Sequence, residues 1–337
     1  MQVFHLDLDA YLVSLPSQGG NTVRARRADL VGLSQWWAQA HSQPFEPALL
    51  AERDVQRWVR QRQVEDGAAP ATINRALSTG RRCWAWLVAT GRARENPFLT
   101  IAAVTQDPPA PRKLDRTAVD ALLRAATDED NVTLRRCNEA LLALLIYAGL
   151  RSQEAADVQM RDLDLDGRTV TVRAGKAGKF GRVPLHAEAV LLLRRYLAEA
   201  RCPQGLPAPG SEAERKRLLG VVDATQAGRP FRVGISTRTI RHRFAVIAAR
   251  AAARLRAAAQ KESRLDLAGK LLACADDLET ASPHALRHSL AYRLLEDGAS
   301  LAAVQRIMRH SRGEQTLRYA IPNDRDLKDV IDRSGGV

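Results

Sequence analysis

A proline-rich segment, QDPPAPRK at residues 106–113, most constrains how this chain of 337 residues can fold. Three prolines in four residues cannot continue a helix and favour an extended connector. A chain of this length also suits two domains better than one. The sequence therefore predicts a linker at 106–113, which joins an N-terminal domain at 21–105 to a C-terminal domain at 114–337. Residues 1–20 are predicted to be an N-terminal tail.

The N-terminal block has apolar residues at three- and four-residue spacing, which indicates helices at 22–40, 52–63 and 69–91. All the tryptophans of the chain lie in this block, and we expect them to pack in its core rather than to stack on bases. These are Trp36, Trp37, Trp58, Trp84 and Trp86. The block is therefore predicted to be a small helical domain that carries many arginines.

The spacing of apolar residues changes part-way along the C-terminal block. LDLDGRTVTVRAGKAGKFGRVPLH at 163–186 alternates apolar and polar residues around an Asp-Gly pair and a Gly/Lys-rich turn, which predicts a short antiparallel sheet. Helical spacing is found elsewhere in the block, at 114–127, 135–150, 187–200, 235–262, 264–279, 282–297 and 300–308. The predicted fold class is mainly α with a small antiparallel β-sheet.

The segment that begins SPHALRHS has a clear helix start and stop. Ser282 is a predicted N-cap, Pro283 occupies the first helical position, and Gly298 lies where a helix ends. Within this helix, one face carries His284, Arg287 and His288, because their spacing is i, i+3 and i+4. The sequence thus predicts a cluster of imidazole and guanidinium groups on one helix face.

The charge balance suits a polyanionic partner. Fifty-one Lys and Arg residues exceed thirty-eight Asp and Glu residues, so the formal net charge is +13 and the sequence pI is near 10.2. Nucleic acid is the leading candidate for such a partner. The cysteines are scattered without a CxxC pair, which indicates neither a disulfide framework nor a zinc site. The N-terminus resembles no signal peptide, and we expect a soluble, cytoplasmic protein without a metal or cofactor.

Most histidine- and arginine-rich helix faces are simply solvated, and a lone tyrosine is usually half-buried. A metal site is disfavoured because the histidines of SPHALRHS lack the HExxH carboxylate.

The residue types make more chemical sense if the target is a phosphodiester. A tyrosine can form a covalent intermediate, arginines bind phosphate oxygens in pairs, and lysine or histidine can transfer protons.

The order of the motifs resembles the tyrosine recombinase, or phage integrase, family, and in particular its Xer-like members. YAGLRSQEAADVQMRDLDL is similar to the box of the first catalytic arginine, VRAGKAGKFGRVPL to the lysine hairpin, and SPHALRHS to the HxxR box. IMRHS is similar to a box that normally reads LGHS, and TLRYA to the box of the tyrosine nucleophile. ATINRALSTGRRCWAWLVATGRARENP resembles the helical, SAM-like core-binding domain. The resemblance covers most of the chain.

The resemblance implies a set of catalytic residues with a smaller supporting set. The catalytic residues are Arg151, Lys176, His284, Arg287, His310 and the nucleophile Tyr319. The supporting residues are Glu154, Lys179 (the alternative catalytic lysine) and His288. The chain departs from the family at Arg309, where glycine is usual, and in longer segments at 202–220 and 250–280, whose role stays open.

The implied reaction cleaves and rejoins DNA through a 3′-phosphotyrosyl link and a Holliday junction, in a homotetramer on double-stranded DNA. The tail at 321–337 would contact a neighbouring protomer, and accessory proteins could set the direction. Integration, excision and resolution remain open, as do the target sequence and cleavage in cis or in trans. Two alternatives share the DNA partner: a type IB topoisomerase-like enzyme, and a DNA-binding regulator without strand transfer. A metal-dependent nuclease is a third, but the sequence has no acidic cluster for it.

Overall fold

The computed structural model of the chain describes residues 2–15, 20–105, 113–173, 181–221 and 234–309. The chain divides into two compact units, residues 1–109 and 110–337. This division falls inside the proline-rich segment. Each unit has its own hydrophobic core among the described residues.

The first unit consists of helices packed around aromatic side chains. Its helices are α1 (Gln2–Ser14), α2 (Gly20–His41), α3 (Glu52–Val64) and α4 (Pro70–Ala89), with a 3-10 turn at Pro47–Leu49. Trp37, Trp58 and Trp84 are buried in the core, while Trp36 and Trp86 are half-buried. The expected core role therefore holds for the three buried tryptophans.

The N-terminal residues form part of this first unit. Leu8, Tyr11 and Leu12 follow the i, i+3, i+4 spacing of one helix face, and all three side chains are buried. Asp7 forms an ion pair with Arg92 at 3.0 Å. The predicted tail over residues 1–20 is therefore wrong for 2–14, because this stretch carries an apolar face that the core of the unit covers.

The second unit is built around one central helix. Its helices are α5 (Arg116–Ala126), α6 (Val132–Ile146), α7 (Ser152–Asp157), α8 (Ala187–Tyr196), α9 (Thr237–Lys261), α10 (Leu265–Thr280), α11 (Pro283–Glu296) and α12 (Leu301–Met308). Every residue of α6 from Cys137 to Ile146 is buried, as expected of a helix covered on all sides. Helices α5, α8 and α11 pack on it. No helix within the described ranges is both long and apolar enough to cross a membrane.

A three-stranded antiparallel sheet has the order β1 (Leu163–Asp164), β2 (Thr169–Val172) and β3 (Gly181–Pro184). Val170 pairs with Val183, and both side chains are buried, so the register is fixed by the core. The last β2–β3 pair joins Val172 to Gly181. The lysines of the predicted hairpin lie between these two residues, outside the described part of the chain.

The longer segments adopt two different structures. Residues 202–220 follow a π-helical turn at Leu197–Arg201 and contain a 3-10 turn at Ala213–Arg215. They are tied back by the Tyr196 hydroxyl and by Arg201 Nε, which donate to the carbonyl of Leu218 at 2.9 and 3.0 Å. Residues 250–280 form the end of α9 and all of α10. The two helices pack against each other and against α5.

Candidate active site

The described site residues come from three distant segments of the second unit and converge there. They are Arg151 and Glu154 at the start of α7, His284, Arg287 and His288 on α11, and Arg309 at the end of α12. The other predicted site residues, Lys176, Lys179, His310 and Tyr319, lie outside the described residues.

Arg151 is the N-cap residue of α7, with extended backbone dihedrals. The Glu154 carboxylate accepts a hydrogen bond from the backbone N–H of Arg151 through Oε2 and another from its Nη1 through Oε1, each at 2.8 Å. The first bond is the reciprocal half of a capping box, which satisfies an N–H that the helix itself cannot pair. Glu154 is 5% exposed, whereas Arg151 is 38% exposed. One buried carboxylate therefore orients a guanidinium that solvent can still reach.

Arg287 lies deeper, with a side chain that is only 1% exposed. It donates through Nη1 to the carbonyl of Gly149 and through Nη2 to the carbonyl of Met308, and its Nη1 is 3.9 Å from Glu154 Oε2. Buried guanidinium groups require such partners, because desolvating an unpaired charge is costly. Arg287 thus ties α11 to the turn before α7 and to the end of α12. The catalytic role that the family resemblance implies for Arg287 stays a prediction.

Arg309 joins the cluster from the end of α12, and the motif comparison assigns it no role. Its Nη2 donates to Glu154 Oε2 at 2.5 Å, and its side chain is 15% exposed. The signal in the sequence was the replacement of the usual glycine before His310. That signal identifies an unusual position but does not show what the side chain contacts.

The cluster holds three guanidinium groups and one carboxylate, and so carries excess positive charge. Burial opposes the ionisation of Glu154, but the charge of Arg309 and the N–H and charge of Arg151 outweigh it, with a further contribution from Arg287. The net result is a pKa of Glu154 below its ordinary value. Glu154 is therefore ionised at neutral pH, and the remaining positive charge suits an anion such as a phosphodiester.

His284 and His288 lie side by side on α11, as their four-residue spacing predicts. Their ring centroids are 4.5 Å apart and the planes are nearly perpendicular. Partial removal from solvent and the positive charges of Arg287 and Arg151 lower the pKa of His284, while Glu154 opposes this effect. His284 is therefore neutral near pH 7, a state in which an imidazole can accept a proton.

Comparison with known families decides what this chain is similar to. Residues 112–325 match the phage integrase family, and residues 8–91 match the phage integrase N-terminal SAM-like domain. The chain belongs to the phage integrase family. The predicted family and fold class are therefore confirmed.

Curated relatives of this phage integrase family member are Xer recombinases. The chain is 29% identical over 313 residues to the tyrosine recombinase XerC of Xanthomonas campestris pv. campestris strain B100. The aligned region covers 93% of this chain and 82% of the relative. The chain is also 29% identical over 317 residues to the tyrosine recombinase XerD of Shewanella oneidensis, which covers 93% of this chain and 90% of the relative. The prediction of a site-specific recombinase that cleaves and rejoins DNA is confirmed, and the topoisomerase-like and regulatory alternatives are not favoured.

Solved structures show the same fold at low sequence identity. The Tn1549 transposon integrase in complex with transposon right end DNA superposes with a TM-score of 0.69 at 16% identity, covering 98% of this chain and 99% of that one. The XerH recombinase bound to a palindromic difH substrate gives a TM-score of 0.65 at 18% identity, covering 92% and 78%. At such identities the likeness concerns the fold alone.

Proposed function

We propose that this phage integrase family member cleaves duplex DNA at a specific site with Tyr319 and rejoins it to a partner strand. The observation that carries the proposal is the convergence of Arg151, His284 and Arg287 around the buried carboxylate of Glu154. These groups come from positions 151 and 284–287, yet they form one positively charged cluster. Arg151 is open to solvent, so a phosphate can reach it.

In the proposed reaction, Tyr319 Oη attacks the scissile phosphorus, a P–O(Tyr) bond forms, and the bond from phosphorus to the 5′ oxygen breaks. Neutral His284 takes the tyrosine proton, and Lys176 gives a proton to the leaving 5′ oxygen. Arg151 and His310 donate hydrogen bonds to the non-bridging oxygens. Preorganised cationic donors of this kind are usually the largest contribution to catalysis.

Arg287 contributes from the buried side of the cluster in this scheme. Its charge lies next to Glu154, and its bonds to Gly149 and Met308 hold α7, α11 and α12 together. The 5′ hydroxyl of a partner strand then gives its proton to Lys176 and attacks the phosphotyrosine. The P–O(Tyr) bond breaks, and His284 returns its proton to Tyr319. Each bond that breaks is replaced by an equivalent one, so the exchange consumes no energy source.

The proposed partner is double-stranded DNA, in keeping with the net charge of +13. The related Tn1549 integrase and XerH structures contain transposon end DNA and difH DNA, respectively. We extend to this chain a cytoplasmic synaptic tetramer in which residues 21–105 and 114–337 contact the duplex, 106–113 joins them, and the tail at 321–337 contacts a neighbour. Accessory proteins would set the direction of exchange.

Covalent trapping tests the proposal. The purified chain is mixed, in EDTA, with nicked duplexes drawn from the DNA that flanks its gene, and is then denatured so that linked strands can be sequenced. We expect adducts that converge on one inverted-repeat site, disappear in Tyr319→Phe and persist in Tyr292→Phe, a matched change on α11. Adducts scattered over many sequences would support a topoisomerase. Salt-sensitive binding without any adduct would support a regulator.

A further inference from the structure

Arg309 adopts a backbone conformation that its residue type disfavours. Its dihedrals are φ 51° and ψ 45°, in the left-handed region where a helix C-terminal glycine is usual. Among the described residues, the other non-glycine positions with positive φ are Ser42 and Arg168, and both are exposed in turns. Arg309 is mostly buried instead. Strain of this kind persists where the surroundings hold it, and it concentrates at functional sites.

The side chain of Arg309 touches three elements at once. Its stem lies over Gly181 at the start of β3, where an added Cβ would be 2.6 Å from Arg309 Cδ. Its Nη1 donates to the carbonyl of Ile307 on α12 at 3.3 Å, and its Nη2 reaches Glu154 on α7. The glycine at 181 therefore leaves the space that the arginine stem fills. Strand β3 directly follows the segment that carries Lys176 and Lys179.

Arg309 and Arg151 share one carboxylate. Glu154 Oε2 accepts from Arg309 and from the backbone N–H of Arg151, while Oε1 accepts from the Arg151 guanidinium. A carboxylate held at Oε2 by two donors has little freedom to rotate about its last torsion. The Oε1 that directs Arg151 is therefore fixed in place.

We propose that Arg309 is a positioning residue for Arg151 and acts through Glu154. It fixes the carboxylate that directs the Arg151 guanidinium toward the scissile phosphate, and its stem seats β3 against the cluster at Gly181. This inference rests on the proposed strand cleavage. A glycine at position 309 would relax the backbone but would leave Glu154 with one fewer cation.

The test compares variants at position 309 by single-turnover adduct formation at saturating DNA. Arg309→Met keeps the stem without the charge, Arg309→Lys keeps the charge without the fork, and Arg309→Gly relieves the backbone strain. We expect Met and Gly to slow cleavage by about 10- to 100-fold while the Kd for DNA stays within about twofold, and Lys to rank between them and wild type. Arg306→Met, which removes an exposed charge from the same helix, should cleave at the wild-type rate. Wild-type cleavage by Arg309→Met would overturn the proposal.

Two further measurements test whether Arg309 acts through Arg151 and whether its effect depends on the charge of the scissile phosphate. In an Arg151→Lys background, Arg309→Met should cause less than about a threefold further loss, because groups that act as one unit are non-additive. A full, additive loss would show that Arg309 acts on its own. A methylphosphonate at the scissile position removes one negative charge, so the gap between wild type and Arg309→Met should narrow. A gap of unchanged size would contradict the assigned role.

A readout independent of cleavage is the Nε–H resonance of Arg151 in 15N-arginine-labelled protein, assigned with Arg151→Lys. We expect this signal to shift and broaden in Arg309→Met but not in Arg306→Met. An unchanged signal would refute positioning even in a protein that never cleaves DNA. Conversely, absence of adducts from the wild type, together with a perturbed signal, would refute strand cleavage alone and keep the contact.

Discussion

Replacing Glu154 by glutamine should destabilise the second unit through a single buried group. The carboxylate is 5% exposed and accepts from the backbone and side chain of Arg151 and from Arg309. A glutamine retains one carbonyl oxygen but turns an NH2 group toward guanidinium donors. Arg309 and Arg287, both mostly buried, then lose the carboxylate that compensates their charge.

The magnitude follows from the burial of each partner. Removing one member of a buried ion pair costs about 3–5 kcal/mol. The contact to Arg151 is partly solvated, because that side chain is 38% exposed, so we assign it only about 0–1 kcal/mol. We therefore expect Glu154→Gln to lower the free energy of unfolding of this unit by about 3 kcal/mol, near the lower end of the buried range.

The assay is urea unfolding followed by two probes. All five tryptophans lie at positions 36–86 in the first unit, so their fluorescence reports on that unit, whereas far-UV circular dichroism reports on both. Glu154→Gln should move the circular dichroism transition and leave the fluorescence transition in place. Glu279→Gln, which removes an exposed partner of Arg256, should change neither. A loss under about 1 kcal/mol, close to that of an exposed pair, would refute the reasoning.

The pH dependence of this loss has a definite sign. The pKa of Glu154 is lowered in the folded protein, with burial opposed by the charges and N–H donor around it. Its stabilisation is therefore fully present above the unfolded pKa of about 4.3 and is lost as the pH falls through the lower folded pKa. The difference between wild type and Glu154→Gln should be constant near neutral pH and shrink in acid. A difference that is as large in acid would contradict the ionised carboxylate.

Three further changes test other parts of the structure. In wild type, the cleavage rate should fall as the pH drops through the pKa of His284, which lies below 6.5, because the imidazole becomes protonated. His284→Gln should abolish this fall, and pH–rate profiles of the two proteins would measure the difference. Gly149→Ala should lower the free energy of unfolding in urea by about 2 kcal/mol or more, because φ is +58° and the new Cβ would lie 2.8 Å from Leu290 Cδ2. As a control, Gly269→Ala in α10 should raise it by about 0.5–1 kcal/mol, because no neighbouring atom lies within 4 Å of the new Cβ. Tyr196→Phe should cost about 1 kcal/mol by thermal unfolding, because Arg201 still donates to the Leu218 carbonyl. A much larger loss would contradict the view that these two donors share the carbonyl.

The helices were predictable because their signals are local. Apolar spacing and end residues place α11, for example, where Pro283 begins it and Gly298 follows it with φ +86°. Ser282 occupies the predicted N-cap position, but its side chain makes no capping hydrogen bond. The short antiparallel sheet was predicted from the alternation of apolar and polar residues, whereas its register is known only from the structure. The helix at residues 2–14 was not predicted, although its buried side chains Leu8, Tyr11 and Leu12 follow helical spacing.

The site was predictable in its residue types and not in its contacts. The motif order identified Arg151, Glu154, His284 and Arg287, and these four converge in the structure. The burial of the Arg287 guanidinium against the Gly149 carbonyl, 138 positions away in the chain, depends on tertiary packing that no local pattern encodes. The same holds for the bond from Arg309 to Glu154, which spans 155 positions.

The roles of the remaining predicted site residues rest on residue type and motif order, not on contacts in the structure. Lys176, Lys179, His310 and Tyr319 lie outside the described ranges, so their roles stay predictions from motif order. The Val172–Gly181 pair is the last described pair on either side of the lysines in the sequence. The trapping experiment with Tyr319→Phe therefore tests the assignment of Tyr319 as the nucleophile, which rests on its sequence motif alone.

The paired helices α9 and α10 offer a handle for engineering. The side chains of Leu255, Cys274 and Leu278 are buried. Residues 262–264 form the turn between the two helices, and Leu265, directly after this turn, is 88% exposed. Exposed loop tips of this kind tolerate inserted sequence. An epitope tag, a fluorophore-binding peptide or a small targeting domain spliced in at residue 263 would keep both chain termini native. The protein could then be imaged or directed to a chosen DNA sequence without a change in the cluster of Arg151, Glu154, Arg287 and Arg309.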